Sequence, residues 1–366
     1  MNLRQQRTDG AEGAKRQGSA AADEPFLSVR DLAVSFRTED GIVSAVDGVT
    51  LAIEKGETLA IVGESGSGKS VTAQAIMGLV DRRAAKVTGQ IWLDGEELLG
   101  LSPEDVQRLR GSQIAMIFQD PMSSLHPFYR IGDQIVEAIQ AHRSVSNAAA
   151  RREVVDMLKK VGIPAAERRV DDYPHQLSGG MRQRVMIGMA LINSPSLLIA
   201  DEPTTALDVT VQAQILDLIN TLKVEFDTTV ILITHDLGIV ADVADHVAVM
   251  YGGRLVETGP TKLIYDDPEM PYTLGLLSSI PRMDRELPKR LDPIPGNPPS
   301  PINLPPGCVF APRCTYKDHV AGDLCATVRP DLLPSGHDHS VRCHIPSEER
   351  KAIANRVLSS LDGVAR

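Results

Sequence analysis

The chain has 366 residues, 42% of them apolar, and a formal net charge of −10 at pH 7. This length allows one large domain with a smaller appendage, and the apolar content suffices for a sizeable core. The acidic balance argues against a nucleic-acid surface, because phosphate contacts need a basic face, and the longest apolar runs fall short of the ~20 residues that span a bilayer.

The first segment in chain order is polar and rich in Ala and Gly. Residues 1–25 contain no apolar h-region, so we expect a disordered tail, not a secretory signal. A protein that is not exported should work in the cytosol with reduced thiols. Phe26–Phe36 and Ile42–Ile53 then alternate apolar and polar residues around a turn signal at 38–41. This pattern predicts an antiparallel hairpin.

A glycine-rich stretch follows and is the most informative motif. Gly63–Ser70 fits G-x-x-x-x-G-K-[ST], between the strand-like run Leu59–Val62 and the helical pattern Val71–Leu79. This is the context that a phosphate-binding loop requires. The loop's N–H groups converge on a phosphate at the positive end of the helix, while Lys69 adds charge and Ser70 a hydroxyl ligand for Mg²⁺. The predicted nucleotide-binding residues are Gly63, Ser65, Gly66, Ser67, Gly68, Lys69, Ser70 and Val71.

Strand and helix patterns alternate further along the chain. The predicted strands are Gly89–Gly95, Ile114–Phe118, Leu197–Ala200 and Val230–Ile233. The predicted helices are Ser102–Arg110, Ile131–Val161, Gly179–Ile192, Val209–Phe226 and Leu237–Ala244. This order predicts a mostly parallel α/β core with a helical insertion between Gln119 and about Ser194.

Two carboxylates, Asp201 and Glu202, come directly after an apolar strand. Open α/β sheets bind ligands at the carboxyl ends of their strands, so these side chains should reach the same site as the phosphate loop. We expect Asp201 to hold Mg²⁺ through its water shell and Glu202 to act as base for the attacking water. An acidic strand end followed by a turn is the alternative, and the phosphate loop in the same chain favours the catalytic interpretation.

A second anion site is predicted at Ser178, Gly179 and Gly180. Ser178 occupies a helix cap position before two glycines. A P-loop ATPase needs only one phosphate cradle, so the second one indicates another phosphate.

Taken in order, these motifs resemble those of ABC-transporter ATPase subunits. The set comprises Gly63–Ser70, Leu177–Gly180 before Met181–Arg184, Asp201–Asp208 and Thr234–Asp236, and the match covers about Phe26 to Pro260. The resemblance implies an α/β ABC ATPase cassette. Such a cassette has a mostly parallel sheet around a phosphate-loop core, an antiparallel β subdomain and a helical insertion; here a small irregular Cys-rich C-terminal unit follows.

The resemblance also implies roles for single residues. Phe36 would stack on adenine, although the family more often has Tyr there and an ordinary core role is the alternative. Gln119 would ligate Mg²⁺ and sense the transmembrane partner, Asp208 would link the two catalytic sites, and His235 would contact the γ-phosphate. Ser178–Gly180 would close over ATP held by a second cassette, an identical or a related chain, giving a head-to-tail dimer with two ATP molecules.

The C-terminal part is similar to the tail of oligopeptide/dipeptide importer ATPases. The similarity lies in Pro271–Pro281, Ile294–Pro299 and Pro306–Cys314. The resemblance implies ATP-driven peptide import together with permease subunits and, indirectly, an extracytoplasmic solute-binding protein, at the cytoplasmic face of the membrane. Relatives with this tail take nickel, glutathione or other solutes, and a soluble ABC ATPase or a redox-regulatory subunit are the competing classes. The single cassette and acidic charge weigh against a soluble protein acting on ribosomes or DNA.

All four cysteines, Cys308, Cys314, Cys325 and Cys343, fall in this tail. A proline-rich unit of about forty residues needs a staple, and disulfides are not expected in the cytosol. Four thiolates suit a [4Fe–4S] cluster or zinc. The absence of a short Cys knuckle favours the cluster, with zinc and free thiols as alternatives. The nearby histidines are interpreted as solvated or as supporting the metal ligands; they are His319, His337, His339 and His344.

These patterns divide the chain into four parts. We expect a tail at 1–25 and a nucleotide-binding domain at 26–270, with its helical subdomain at about 120–194. A C-terminal unit at 271–347 carries the ten prolines between Pro281 and Pro312 as a linker. The segment 348–366 closes the chain as an amphipathic helix, with its periodic pattern over Ser347–Leu361.

Overall fold

The computed structural model describes residues 24–120, 124–205, 208–280, 294–336 and 338–363. The predicted tail up to residue 23, residues 281–293 of the predicted linker and His337 lie outside the described residues. No helix within the described ranges is long and apolar enough to cross a membrane.

The strands alternate with helices along most of the chain. In chain order the strands are β1 (Leu27–Thr38), β2 (Gly41–Ile53), β3 (Thr58–Val62), β4 (Ala85–Leu93), β5 (Glu96–Glu97), β6 (Ile114–Ile117), β7 (Leu197–Asp201), β8 (Thr229–Thr234), β9 (His246–Tyr251), β10 (Arg254–Pro260), β11 (Leu333–Gly336) and β12 (His339–Val341). The helices are α1 (Lys69–Ile76), α2 (Pro103–Leu109), α3 (Ile131–Gln140), α4 (Asn147–Lys160), α5 (Ala166–Arg169), α6 (Gly179–Leu191), α7 (Val209–Phe226), α8 (Leu237–Val240), α9 (Thr261–Asp266), α10 (Pro271–Ser278), α11 (Leu324–Thr327) and α12 (Ser347–Gly363).

These strands form two sheets. The smaller one is antiparallel, in the order β2-β1-β4-β5, and contains the predicted hairpin, with Thr38 opposite Gly41 at its turn. The larger sheet has eight strands in the order β11-β12-β10-β9-β3-β8-β7-β6. Its strands β9, β3, β8, β7 and β6 run parallel, whereas β10, β12 and β11 add antiparallel pairs at one edge. The predicted α/β fold, with a mostly parallel sheet and an antiparallel β subdomain, is confirmed.

The larger sheet is covered on both faces because alternate residues of its strands point to opposite sides. In β7, Leu197 and Ile199 belong to the core shared with the antiparallel sheet, whereas Leu198 and Ala200 belong to the core shared with the helical insertion. A strand buried on both faces reads as a continuous apolar run, which is why it was recognisable in the sequence.

Several predicted bounds were wrong. The helical pattern Ile131–Val161 is two helices, because Ser146 caps the second one by accepting a hydrogen bond from the Ala149 N–H at 3.3 Å. The helix predicted from Leu237 to Ala244 ends at Val240, and the strand predicted at Gly89–Gly95 is the longer β4. Strands β9 and β10 were not predicted.

The C-terminal residues are joined to the sheet. The hairpin of β11 and β12 extends the sheet through pairing of β12 with β10, where Glu257 lies opposite Val341. Val309 and Phe310 are buried against Tyr251 and Tyr272 in one apolar cluster. This part of the chain therefore rests on the main core, whereas we expected a unit with little core of its own.

The topology gathers the chemically informative residues at one edge. Gly63–Ser70 follows β3, and Gln119 comes after β6. Asp201 ends β7, Glu202 follows it directly, and His235 follows β8. These are neighbouring parallel strands, so their carboxyl ends share one side of the sheet.

Candidate nucleotide-binding site

The loop between β3 and α1 has a backbone shape that requires glycine at two points. Gly68 has φ +103°, and a Cβ there would lie 2.4 Å from the Ala45 carbonyl oxygen. A Cβ on Gly63 would lie 2.2 Å from the Met250 carbonyl oxygen. The loop is thus pressed against neighbouring strands while its N–H groups lie at the start of α1, the arrangement that binds phosphate.

Lys69 is 5% exposed and lies over this loop. Its ammonium donates to the carbonyl oxygens of Gly63 at 2.8 Å and Glu64 at 3.1 Å. Burial lowers the pKa of Lys69, and the charges of Glu202 and Asp201 act against that shift. A largely buried cation at the loop suits a strongly anionic ligand.

The Ser70 hydroxyl donates to Asp201 Oδ1 at 3.0 Å. Burial raises the pKa of Asp201, with the hydrogen bond from Ser70 acting against it. A hydroxyl and a buried carboxylate placed side by side are the hard oxygen donors that Mg²⁺ prefers, so these residues fit the expected ion.

Glu202 lies at the centre of a small polar cluster. Its Oε2 accepts hydrogen bonds from Gln119 Nε2 and from the Thr205 hydroxyl, both at 2.9 Å. Its Oε1 lies 3.5 Å from His235 Nδ1. The structure therefore brings the three predicted catalytic residues together. Gln119 contacts the carboxylate of Glu202 through its amide nitrogen, and Thr205 is a partner that sequence reasoning missed.

A cleft of about 580 Å³ contains these groups. Its lining consists of Glu64, Ser65, Gly66, Ser67, Gly68, Lys69, Ser70, Val71, Gln119, Glu202, His235 and Leu276. All the predicted phosphate-loop residues after Gly63 are present, and Leu276 of α10 was not predicted. Gly63 and Asp201 do not line the cleft, but each contacts a residue that does, Lys69 and Ser70 respectively. Among the other described residues, Phe36, Ser178, Gly179, Gly180 and Asp208 do not line this cleft either.

Those remaining residues have local structural roles in the single chain. Phe36 is partly buried against the core of the antiparallel sheet, so its stacking on adenine stays a prediction. Ser178 caps α6 by accepting from the Met181 N–H at 3.3 Å, and Asp208 caps α7 by accepting from the Val211 N–H at 2.9 Å. Ala206 and Leu207 lie outside the described residues.

The predicted metal site at the cysteines is not confirmed. None of the four cysteines forms a disulfide, and Cys308 donates its N–H to the Cys325 carbonyl oxygen at 2.9 Å. Burial raises the pKa of each thiol, to about 11 for Cys314 and about 12 for Cys343. Within the ranges that the structure describes, no group of three or more His, Cys, Asp or Glu side chains could hold a metal ion. The structure thus lends no support to zinc or to an iron–sulfur cluster.

The interpretation of the nearby histidines was wrong for His339. This side chain is 3% exposed, and its Nε2 lies 2.9 Å from Oε1 of the fully buried Glu257. It therefore belongs to a buried polar network. His319 pairs with Glu349 at the surface at 2.6 Å, and His344 contacts the Val328 carbonyl oxygen.

Comparisons with known proteins agree with this geometry. A family model described as ABC transporter matches residues 46–205, and one described as the C-terminal region of oligopeptide/dipeptide transporters matches residues 256–320. The dipeptide transport ATP-binding protein DppD of Bacillus subtilis is 52% identical over 326 residues, covering 89% of this chain and 96% of that protein. The oligopeptide transport ATP-binding protein OppD of the same organism is 54% identical over 292 residues, covering 80% of this chain and 82% of that protein.

The oligopeptide transport ATP-binding protein OppD of Mycobacterium tuberculosis is 52% identical over 87% of this chain, but the chain spans only 52% of that relative's length. Among solved structures, the dimeric ATP-binding cassette MJ0796 bound to ADP and Pi matches with a TM-score of 0.58 and 27% identity. That match covers 64% of this chain and 98% of the other. The cbiO1 protein of Clostridium perfringens matches with the same TM-score, 31% identity and coverage of 67% and 92%.

Proposed function

The chain belongs to the ABC transporter family, among the ATP-binding proteins of oligopeptide and dipeptide transport, and on this premise we propose that it hydrolyses ATP to drive peptide import. The observation that carries the proposal is the Glu202 carboxylate, held by Gln119 and Thr205 in the same cleft as Lys69. A site that only bound nucleotide would need the phosphate loop but no positioned base.

Several residues in and beside the cleft then have roles in hydrolysis. Lys69 and the N–H groups of the loop bind the β- and γ-phosphates, and Ser70, Asp201 and Gln119 would hold Mg²⁺. Bound Mg²⁺ supplies positive charge that neutralises the phosphate oxygens. Glu202 accepts a proton from the attacking water, and His235 orients that water beside the γ-phosphate.

We further propose that the chain works in an assembly. Two cassettes would bind two ATP molecules head to tail, with Ser178–Gly180 of each closing over the nucleotide of the other. Transmembrane permease subunits would hold the pair at the cytoplasmic face of the membrane, and a solute-binding protein would deliver the cargo to them. No nucleic acid is part of this function.

The test is reconstitution of the chain with its permease subunits and second cassette in vesicles. We expect ATP-dependent uptake of di- or oligopeptide and peptide-stimulated release of phosphate, both abolished by Lys69→Ala. Uptake of Ni²⁺ or glutathione in place of peptide would overturn the substrate but keep the ATPase. Absence of ATP hydrolysis by the complete complex would overturn the function itself.

For the four cysteines, we propose [4Fe–4S] ligation as a separate element of the function. Support comes from the sequence, which confines all four cysteines to one part of the chain. The ligands of such a cluster bind four different irons, so they need not converge on a single ion. A structural role is expected, because the ATP-binding motifs lie upstream.

Anaerobically purified protein should be brown and contain about four irons and four sulfides per chain. Cys314→Ser should lose the colour while ATP binding persists. One zinc without iron would overturn the cluster in favour of zinc, and metal-free protein would leave free thiols.

A further inference from the structure

The phosphate loop contains one acidic residue, whose negative charge opposes the binding of phosphate. Glu64, the second residue of the motif, lines the nucleotide cleft with its side chain 26% exposed. A carboxylate at this place would repel the phosphates that Lys69 attracts, unless another group neutralises it.

That neutralising group is Arg313, 249 residues further along the chain. Its Nη1 donates to Glu64 Oε2 at 2.7 Å and its Nη2 to Glu64 Oε1 at 3.2 Å, a bidentate pair in which the Arg313 side chain is only 6% exposed. Its other N–H groups reach the Pro295 and Ile294 carbonyl oxygens and the Tyr251 hydroxyl. The guanidinium is thus saturated with acceptors, and the planar fork fixes the direction in which the Glu64 carboxylate points.

The backbone of Glu64 is held by the same part of the protein. Its N–H donates to the Tyr272 hydroxyl at 2.9 Å, and Tyr272 is fully buried against Tyr251 and Phe310. The carboxylate of Glu64 is therefore fixed by Arg313, and its N–H by Tyr272. Both of these residues follow the predicted ATP-binding motifs in the chain.

We propose that Arg313 is a positioning residue for the phosphate loop, which neutralises Glu64 and directs its carboxylate away from bound phosphates, so that the C-terminal residues set the nucleotide affinity of the cassette. This inference rests on the proposed ATP binding. Without Arg313, the Glu64 carboxylate is free to turn into the cleft, where its charge acts against the β- and γ-phosphates.

The test compares the affinity of the full-length chain for ATP, by equilibrium dialysis with radiolabelled ATP and Mg²⁺, among single and double variants. Arg313→Met should weaken binding about tenfold, the scale of an uncompensated charge near the ligand. Glu64→Gln should bind ATP as well as or better than the wild type, because it removes the repelling charge. Arg313→Met combined with Glu64→Gln should return to within about threefold of Glu64→Gln alone, since the two changes act on one interaction.

Arg350→Met is the matched control. It breaks a similar buried pair, in which Arg350 Nε donates to Glu269 Oε2 at 2.8 Å, on α12 and outside the cleft lining. We expect a lower melting temperature with unchanged ATP affinity. If Arg313→Met does not fold, Arg313→Lys keeps the charge without the fork and should give a smaller loss of affinity that Glu64→Gln again relieves.

Wild-type affinity in a folded Arg313 variant would overturn the inference, and so would a double variant as weak as Arg313→Met, which would indicate general loosening. The Lys69→Ala chain distinguishes failure of the Arg313 inference from failure of the proposed ATP binding. If the wild type binds ATP, Lys69→Ala does not and Arg313→Met binds as the wild type, only the inference fails. If the wild type does not bind ATP, both fail.

Discussion

Glu202 is the residue on which hydrolysis depends in the proposed function. Its side chain is mostly buried, accepts hydrogen bonds from Gln119 and Thr205, and has a positive φ of 46° that turns it out of the strand direction. A non-glycine residue in this backbone region is uncommon and is retained where the surrounding structure fixes it. The carboxylate is therefore held in place before a water arrives.

Glu202→Gln should keep ATP binding but lower turnover at least ~100-fold, the scale of losing a general base. An amide of the same shape can still accept a hydrogen bond from Thr205, but it cannot take the proton of the attacking water. The measurement is phosphate release by the assembled complex alongside ATP binding by the same preparation. Thr205→Val, which removes one hydrogen bond and keeps the carboxylate, should cause a much smaller loss. Turnover near that of the wild type in Glu202→Gln would reject the assignment.

The sequence indicated most of this cluster, because Asp201, Glu202 and His235 each follow an apolar strand. Thr205 could not be found in the same way, since a threonine in a turn has no pattern that distinguishes a functional hydroxyl. Arg313 lies 249 residues from Glu64, and only the fold brings the two together.

The docking of helix α12 depends on a buried charged pair. Its Arg350 and Ser347 donate to Glu269, a carboxylate that is 1% exposed, while Ile353 and Ala354 pack against Leu274. The periodic apolar pattern predicted the helix, but neither its buried arginine nor the Glu269 partner was evident. The hairpin of β11 and β12 escaped prediction for a related reason, because its few residues become strands only by pairing with β10.

Acid should loosen this docking. Burial alone would raise the pKa of Glu269, but hydrogen bonds from Ser335 and Arg350 outweigh it and leave the pKa below its usual range. A carboxyl group whose pKa is lower in the folded than in the unfolded chain stabilises the fold above the unfolded pKa of about 4.3, and this stabilisation is lost as the pH falls through the folded value.

Glu269→Gln should therefore lower the free energy of unfolding at pH 7 by about 2 kcal/mol, the scale of hydrogen bonds to a charged group, and the difference from the wild type should shrink as the pH falls below about 4. Denaturant unfolding of both chains between pH 3.5 and 7 measures it. Glu348→Gln, on the exposed side of the same helix, is the control and should have little effect at any pH. A difference that is equal at all pH values would contradict the linkage.

At the scale of the whole molecule, the nucleotide cleft and the second predicted anion site lie in different parts of the chain's surface. The cleft is lined by the phosphate loop and by Gln119, Glu202 and His235, whereas Ser178–Gly180, at the start of the 13-residue helix α6, is not among the described residues that line it. A helix N-terminus with capped glycines remains suited to an anion that this chain does not itself hold there. The sequence indicated this separation, because it contains two phosphate-binding motifs where one bound nucleotide needs only one.

Gly179→Asp tests whether two chains share each site. It would place a carboxylate where the γ-phosphate of the facing cassette should lie, so like-charge repulsion should prevent closure and lower ATP hydrolysis by the complex at least ~100-fold. ATP should still bind to the isolated chain through Lys69, because the substituted residue lies outside its own cleft.

Gly179→Asn is the matched control. Asn is nearly the size of Asp but carries no charge, so this variant should lose less activity than Gly179→Asp if repulsion, not crowding, is the cause. In the Glu202→Gln background, ATP should join the chain and its partner cassette, identical or related, into a dimer that light scattering detects, and Gly179→Asp should abolish that dimer. A Gly179→Asp complex that hydrolyses ATP at the wild-type rate would show that each cleft is complete within one chain. A Gly179→Asp chain that still dimerises with ATP would show that Gly179 does not face the γ-phosphate of the partner.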